Sequence, residues 1–211
     1  MLNAEPSIIF ANLFTLVIAF TLHEFAHAWT ADYFGDDTPR LQGRLTLNPL
    51  AHLDPIGSLL LIFAGFGWAR PVMVDPYRLR RRSPHAMMLV ALAGPVSNLL
   101  MAIVAAIPFR LGWLQVENAN SGMIPTINFL WSQFIFLNLL LMLFNLLPIA
   151  PLDGDKIFAH FLPPTVADWF ETIRPYGPVV LMLLMFAGGG FVFNYILYPP
   201  LGFLFRLLVG L

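Results

Sequence analysis

Three residues within five positions of one apolar run have the types and spacing to do chemistry: His23, Glu24 and His27 in the stretch TLHEFAHAWT. If that run is helical, the two histidines are four positions apart and project from nearly one face, so their imidazoles suit a single tetrahedral zinc ion. Glu24 is offset around the helix and reaches a water beside the ion rather than the ion itself, which is the place of a general base. Ionisable groups inside a membrane segment are costly unless they are paired or bind metal, and an intramembrane cluster of them marks function.

Two histidines leave a catalytic zinc site incomplete, because such a site carries three protein ligands and one open position. The position six after His27 is Tyr33, and the later glutamates, Glu117 and Glu171, fall in polar connections. Asp153 in NLLPIAPLDGDKIF is the candidate third ligand: it follows two prolines, precedes a glycine and ends a long apolar run. The same residue also reads as a helix N-cap. His52 and Asp54 in NPLAHLDPIG are rival ligands, although their proline-rich setting equally suits turn chemistry. Asp32, Asp36 and Asp37 are expected to face water, and His85 and His160 read as ordinary interfacial histidines.

The elements that must position these residues are membrane helices. The chain of 211 residues is 58% hydrophobic and 11% charged, which predicts an all-α, polytopic integral membrane protein of about four to six crossings, forming one membrane-embedded domain over 1–211. The runs SIIFANLFTLVIAFTL, MMLVALAGPVSNLLMAIVAAI, FLWSQFIFLNLLLMLFNLLPI and GPVVLMLLMFAGGGFVFNYILY are the four expected crossings, with LGFLFRLLVGL an interfacial or re-entrant piece. The first run lacks a basic leader and reads as a retained helix. Arginines crowd between the first two crossings, which puts that loop, and with it the histidine pair, on the cytoplasmic side of a prokaryotic inner membrane. Absence of cysteine excludes disulfides, thiolate catalysis and cysteine-ligated zinc, and a net charge of −1 without a basic aromatic patch gives nucleic acid no footing.

Between the first two crossings, RLQGRLTLNP and ARPVMVDP have short β patterns and DPIGSLLLIFAGFGW is apolar and glycine-rich, so a small membrane-associated β-sheet with a re-entrant turn is expected there. Val72, Met73 and Val74 would form an edge able to pair with an extended peptide, or simply a structural hairpin. Gly94 and Pro95 are expected to serve tight helix packing and a local kink.

HEFAH at 23–27, GPVSN at 94–98 and NLLPIAPLDG at 145–154 together resemble the site-2 protease family of intramembrane zinc metalloproteases, over about residues 8–160. The resemblance implies one zinc ion per chain held by His23, His27 and Asp153, with Glu24 activating water and Asn145 orienting substrate or stabilising the oxyanion. It implies regulated cleavage of transmembrane protein or peptide substrates that arrive through the lipid bilayer, by a minimal member without PDZ or regulatory domain. Ala150 and Asp155 depart from the proline and glycine frequent at these positions. An intramembrane metal-ion transporter and a non-catalytic substrate-binding relative are the competing readings.

Overall fold

The computed structural model describes residues 5–64, 67–117 and 122–211. Helix α1, Pro6–Tyr33, opens on a proline whose missing N–H lies where a helix needs none. Its 28 residues exceed the roughly 20 that cross a bilayer. Short pieces follow: α2 (Thr38–Leu41), a 3-10 turn at Pro49–Ala51, α3 (Pro55–Ala64) and α4 (Pro76–Arg82). Asp75 caps α4 by accepting from the Tyr77 and Arg78 amides. The long α5 (Ala86–Arg110) carries Pro95 and Pro108 inside it, and α6 (Ile127–Asn145) begins where Thr126 Oγ1 accepts the Phe129 N–H at 3.1 Å. Beyond it lie α7 (Asp153–Ala159), α8 (Pro164–Ile173), α9 (Gly177–Ala187), α10 (Gly189–Phe191), a π turn at Val192–Leu197 and α11 (Tyr198–Val209).

Four helical stretches are long and apolar enough to cross a membrane: α1, α5, α6 and Gly189–Val209. The chain is an integral membrane protein, as its composition predicts. Helices α1, α5 and α6 pack mutually, and small side chains line the contacts. Ala11, Ala19, Ala28 and Ala31 are buried on α1, while Ala102, Ala105 and Ala106 of α5 meet Ile135, Leu139 and Met142 of α6. Alanine at such contacts lets backbones approach closely, which is how helices gain packing energy where lipid removes the hydrophobic incentive.

Two expectations need correction. The fourth crossing is displaced: the run from 177 breaks at Gly188, and the crossing-length stretch is Gly189–Val209, which absorbs the C-terminal LGFLFRLLVGL. Arg110 at the end of α5 docks its far end by donating Nε–H to the Leu208 carbonyl at 2.8 Å. The expected β-sheet is absent: among the described residues there is no strand, and the pairing present is an isolated bridge between Leu53 and Ala69, with the Arg70 N–H on the His52 carbonyl at 2.7 Å. DPIGSLLLIF enters α3, ten residues that cover about 15 Å, half a bilayer core. Part of the glycine-rich turn that follows, at 65–66, lies outside the described residues.

Residues 71–75 belong to no helix and pair with no strand among the described residues, and Asp75 at their end is extended. Pro71 and Pro76 bracket them and remove two ladder donors. Side chains take the place of a partner strand. Arg44, buried, donates to the Ala51, Arg70 and Pro71 carbonyls at 2.6, 3.1 and 3.3 Å. Asp36 accepts the Asp75 N–H at 2.6 Å and the Thr38 N–H and hydroxyl at 3.1 and 2.6 Å. Asp36, expected in water, is therefore fully buried as the peg for this segment.

Candidate metal centre

In α1 the apolar run of the sequence continues unbroken through His23, Glu24 and His27, all buried within the last three turns of the helix. The two imidazoles stand edge to face with Nε2 atoms 3.0 Å apart. Asp153 begins α7 and brings Oδ2 to 3.2 Å from His23 Nε2 and 3.3 Å from His27 Nε2. Two ligands at about 2.05 Å from a tetrahedral zinc are about 3.4 Å apart, so the three atoms already stand close to a zinc ligand triangle.

The protonation states follow from the partners of the other ring nitrogens. His27 Nδ1 lies 2.7 Å from the Val90 carbonyl, which can only accept, so that nitrogen carries the proton. His23 Nδ1 donates to Asn98 Oδ1 at 2.6 Å, and Asn98 is oriented in turn because its Nδ2 donates to Asn138 Oδ1 at 3.0 Å. Asn138 closes the chain on the Phe134 carbonyl at 2.9 Å. As neutral imidazoles, both histidines therefore present Nε2 lone pairs to each other and to a carboxylate. Three acceptors with no donor between them, in a buried site, require a cation; the donor set and spacing fit zinc.

Two glycines make the approach of these elements possible. A Cβ on Gly94 of α5 would lie 2.5 Å from each Nε2. Expected to serve tight helix packing and a local kink, Gly94 thus leaves open the space that an ion between these histidines would need. A Cβ on Gly154 would lie 2.3 and 2.4 Å from the Leu147 and Leu146 carbonyl oxygens, so only glycine lets α7 seat against the end of α6 and deliver Asp153.

Glu24 points to the 71–75 segment, where its Oε2 accepts the Val72 N–H at 3.1 Å. Burial pushes the nearby Arg44 guanidinium down, with Arg70 acting in the same direction and Glu24 against it. Met73 is exposed, Val72 and Val74 are partly buried, and no hydrogen bond engages the Met73 backbone among the described residues. Asn145 ends α6 with Nδ2 donating to the Leu141 carbonyl at 3.0 Å, which leaves its second amide N–H for another acceptor. The rivals are occupied elsewhere: Asp54 accepts the Gly57 N–H at 2.8 Å, and His52 Nε2 lies 2.7 Å from the Thr46 carbonyl. Asn138, Val90 and the metal-facing role of Gly94 were not read from the sequence; a backbone carbonyl leaves no signal there, and Asn138 is an isolated polar residue in an apolar run.

Residues 11–187 match the family model described as Peptidase family M50. A Bacillus subtilis (strain 168) protein named "Putative zinc metalloprotease YwhC" is 43% identical over 187 residues, which span 89% of this chain and 84% of that one. A Mycolicibacterium smegmatis protein named "Putative zinc metalloprotease Rip2" is 32% identical, over 83% of this chain and 68% of its own length. A Mycobacterium tuberculosis protein of the same name is 31% identical, over 84% and 69%. No solved structure matches the chain. A family match that takes in the histidine pair, Asp153 and the helices that join them places this chain in peptidase family M50, the site-2 protease family.

Proposed function

We propose that this chain is an intramembrane zinc metalloprotease that hydrolyses peptide bonds within or near the transmembrane segments of membrane-protein substrates. The observation that carries the reading is the convergence of His23, His27 and Asp153, with Glu24 beside them, on a helix built to cross a membrane. The names of the relatives, zinc metalloproteases, agree with it.

His23, His27 and Asp153 would hold the zinc, with one position left over in a tetrahedral shell. Bound there, zinc supplies a Lewis acid that polarises a carbonyl and acidifies water. Glu24 does the proton work: it takes a proton from the attacking water as the oxygen joins the carbonyl carbon, and returns it to the amine nitrogen as the C–N bond breaks. Val72 N–H fixes one carboxylate oxygen of Glu24 and leaves the other for that transfer. The free backbone edge at Met73 offers an N–H and a carbonyl to an unwound substrate, the pairing that a transmembrane helix must accept before its peptide bonds are exposed. The second amide N–H of Asn145 is the donor for the carbonyl oxygen of the scissile bond. Substrate arrives through lipid and water from the cytoplasmic side, where the arginines of the first loop lie.

Purified protein, wild type against Glu24→Gln, should be assayed for bound zinc and for cleavage of a single-span membrane peptide. One zinc retained by both, with cleavage lost by a factor of about 100 to 10,000 in the variant, is the expected result. Equal cleavage by both forms would remove Glu24 from the chemistry, and zinc-dependent uptake into liposomes by both, without cleavage, would replace the protease with a transporter.

A further inference from the structure

Outside the catalytic cluster, one pair of side chains repeats its geometry. His85, at the N-cap of α5, and His160, at the C-cap of α7, lie 75 positions apart in the chain, yet His85 Nδ1 is 2.8 Å from His160 Nε2. Their rings are 4.9 Å apart at 70°, against 4.6 Å at 85° for His23 and His27, whose facing nitrogens are 3.0 Å apart. We propose that His85 and His160 form a second transition-metal site, which takes Zn²⁺ on two imidazole nitrogens and completes its shell with water.

The chemistry of the surroundings selects the ion. No carboxylate faces the pair in any described contact, and Arg82 and Lys156 stand three and four positions away, so a hard cation held by charge alone is disfavoured. Imidazole nitrogens favour zinc and its neighbours in the first transition row. In the ion-free geometry one imidazole donates to the other. Binding moves the donor ring's proton to its outer nitrogen by exchange with water, while the acceptor ring already carries its proton there, and opens the nitrogens by about half an ångström to the spacing of a tetrahedral pair. His85 is exposed and His160 partly so, just after the triple arginine that marks the headgroup level, where ions have access. With two protein ligands and open exchange with water, this site binds more weakly than the buried three-ligand centre.

Its position gives it a consequence. Helix α5 carries Val90, Gly94 and Asn98, the residues against the zinc histidines, and α7 carries Asp153. Asp153 and His160 are seven residues apart on α7, about 10 Å along the axis. An ion on His85 and His160 therefore pins the far end of the helix that supplies the third catalytic ligand to the helix that orients the other two.

Chelator-stripped protein in detergent micelles should be titrated with Zn²⁺ against a chromogenic chelator. Wild type should take two equivalents, one tight and one weak; His85→Ala and His160→Ala should each keep the tight equivalent and lose the weak one, and His23→Ala should lose the tight one. Saturation of the wild type at one equivalent, or a weak equivalent that persists in both surface variants as adventitious binding only, would overturn the site. Retention of the tight zinc reports that each variant is folded. Hydrogen exchange of the amides at 153–160 then reads the pinning: the second equivalent should slow it in wild type and not in His160→Ala, and equal rates in wild type with one and two equivalents would overturn it.

Discussion

Replacing Gly94 by alanine puts a methyl group into the space between His23 and His27. The added carbon would lie 2.5 Å from both Nε2 atoms and 2.6 Å from His23 Cε1, about 0.9 Å inside the 3.4 Å at which ordinary contact begins. Relief by moving α5 away is blocked, because His27 is hydrogen-bonded to Val90 and His23 to Asn98, both on α5 itself. Relief by turning the rings breaks the same bonds and spreads the ligand triangle, whose spacing a zinc site tolerates only to about 0.2 Å. The zinc affinity should fall by at least the 10- to 100-fold that follows disruption of outer-shell partners, about 1.4 to 2.8 kcal/mol, and overpacking should cost about 1 to 3 kcal/mol of stability besides. Metal content after dialysis against a graded zinc buffer measures the first effect and thermal unfolding in detergent the second; cleavage should fall with the metal. A variant that holds one zinc with affinity within threefold of wild type would refute the placement of Gly94 against the ligands, and with it the reading of α5 as the wall of the centre.

Four further substitutions separate the parts of the site. Asn98→Leu removes the acceptor on His23 Nδ1 and should weaken zinc binding about 10- to 100-fold in the same assay, whereas Asn138→Leu, one bond further out, should cost less; the reverse order would contradict the chain of hydrogen bonds. Asp36→Ala leaves the Asp75 and Thr38 N–H groups without their acceptor, so stability should drop by about 1 to 3 kcal/mol and cleavage should fall while zinc stays bound. Met73→Pro deletes the free N–H of this segment; it should abolish cleavage and leave zinc content unchanged, and undiminished cleavage would remove that edge from substrate binding.

What was legible in the sequence depended on whether a local rule or a distant partner decides the structure. The spacing of His23 and His27 fixes their shared face as soon as the run is helical, and Asp153 stood out because few acidic residues lie beside apolar runs. The β pattern misled because alternation of Val72 and Val74 reports only an extended backbone; whether a strand or a set of side chains satisfies it is decided by Arg44, Glu24 and Asp36, up to 48 positions away. Asp36 looked like a solvated loop residue for the same reason: its partner is the Asp75 amide, not a side chain of opposite charge. The fourth crossing was misplaced because hydropathy does not register the break at Gly188, which restarts the helix closer to the C-terminus.

The last fifty residues carry no motif, yet they reach the turn that holds Asp153 through one ion pair. Asp155, where glycine is frequent in the family that the motifs resemble, is buried, with only 4% of its side chain exposed, and a buried carboxylate is tolerated only with a partner. Arg174, between α8 and α9, provides it with Nε 2.9 Å from Oδ2, while its Nη1 holds Glu171 at 2.5 Å. Asp155 is two positions from Asp153 in the first turn of α7, so the same pair that satisfies its charge also fastens that turn to the C-terminal helices. Helix α7 has seven residues, too few to hold a helix by its own propensity, and it must be held from outside. Gly154 seats it on the end of α6, Arg174 clamps its first turn, and His160 meets α5 at the other end. Asp153 is placed by three separate attachments: one lies within the motif that made it recognisable, and the other two, Arg174 and His85, come from distant parts of the chain that carry no motif.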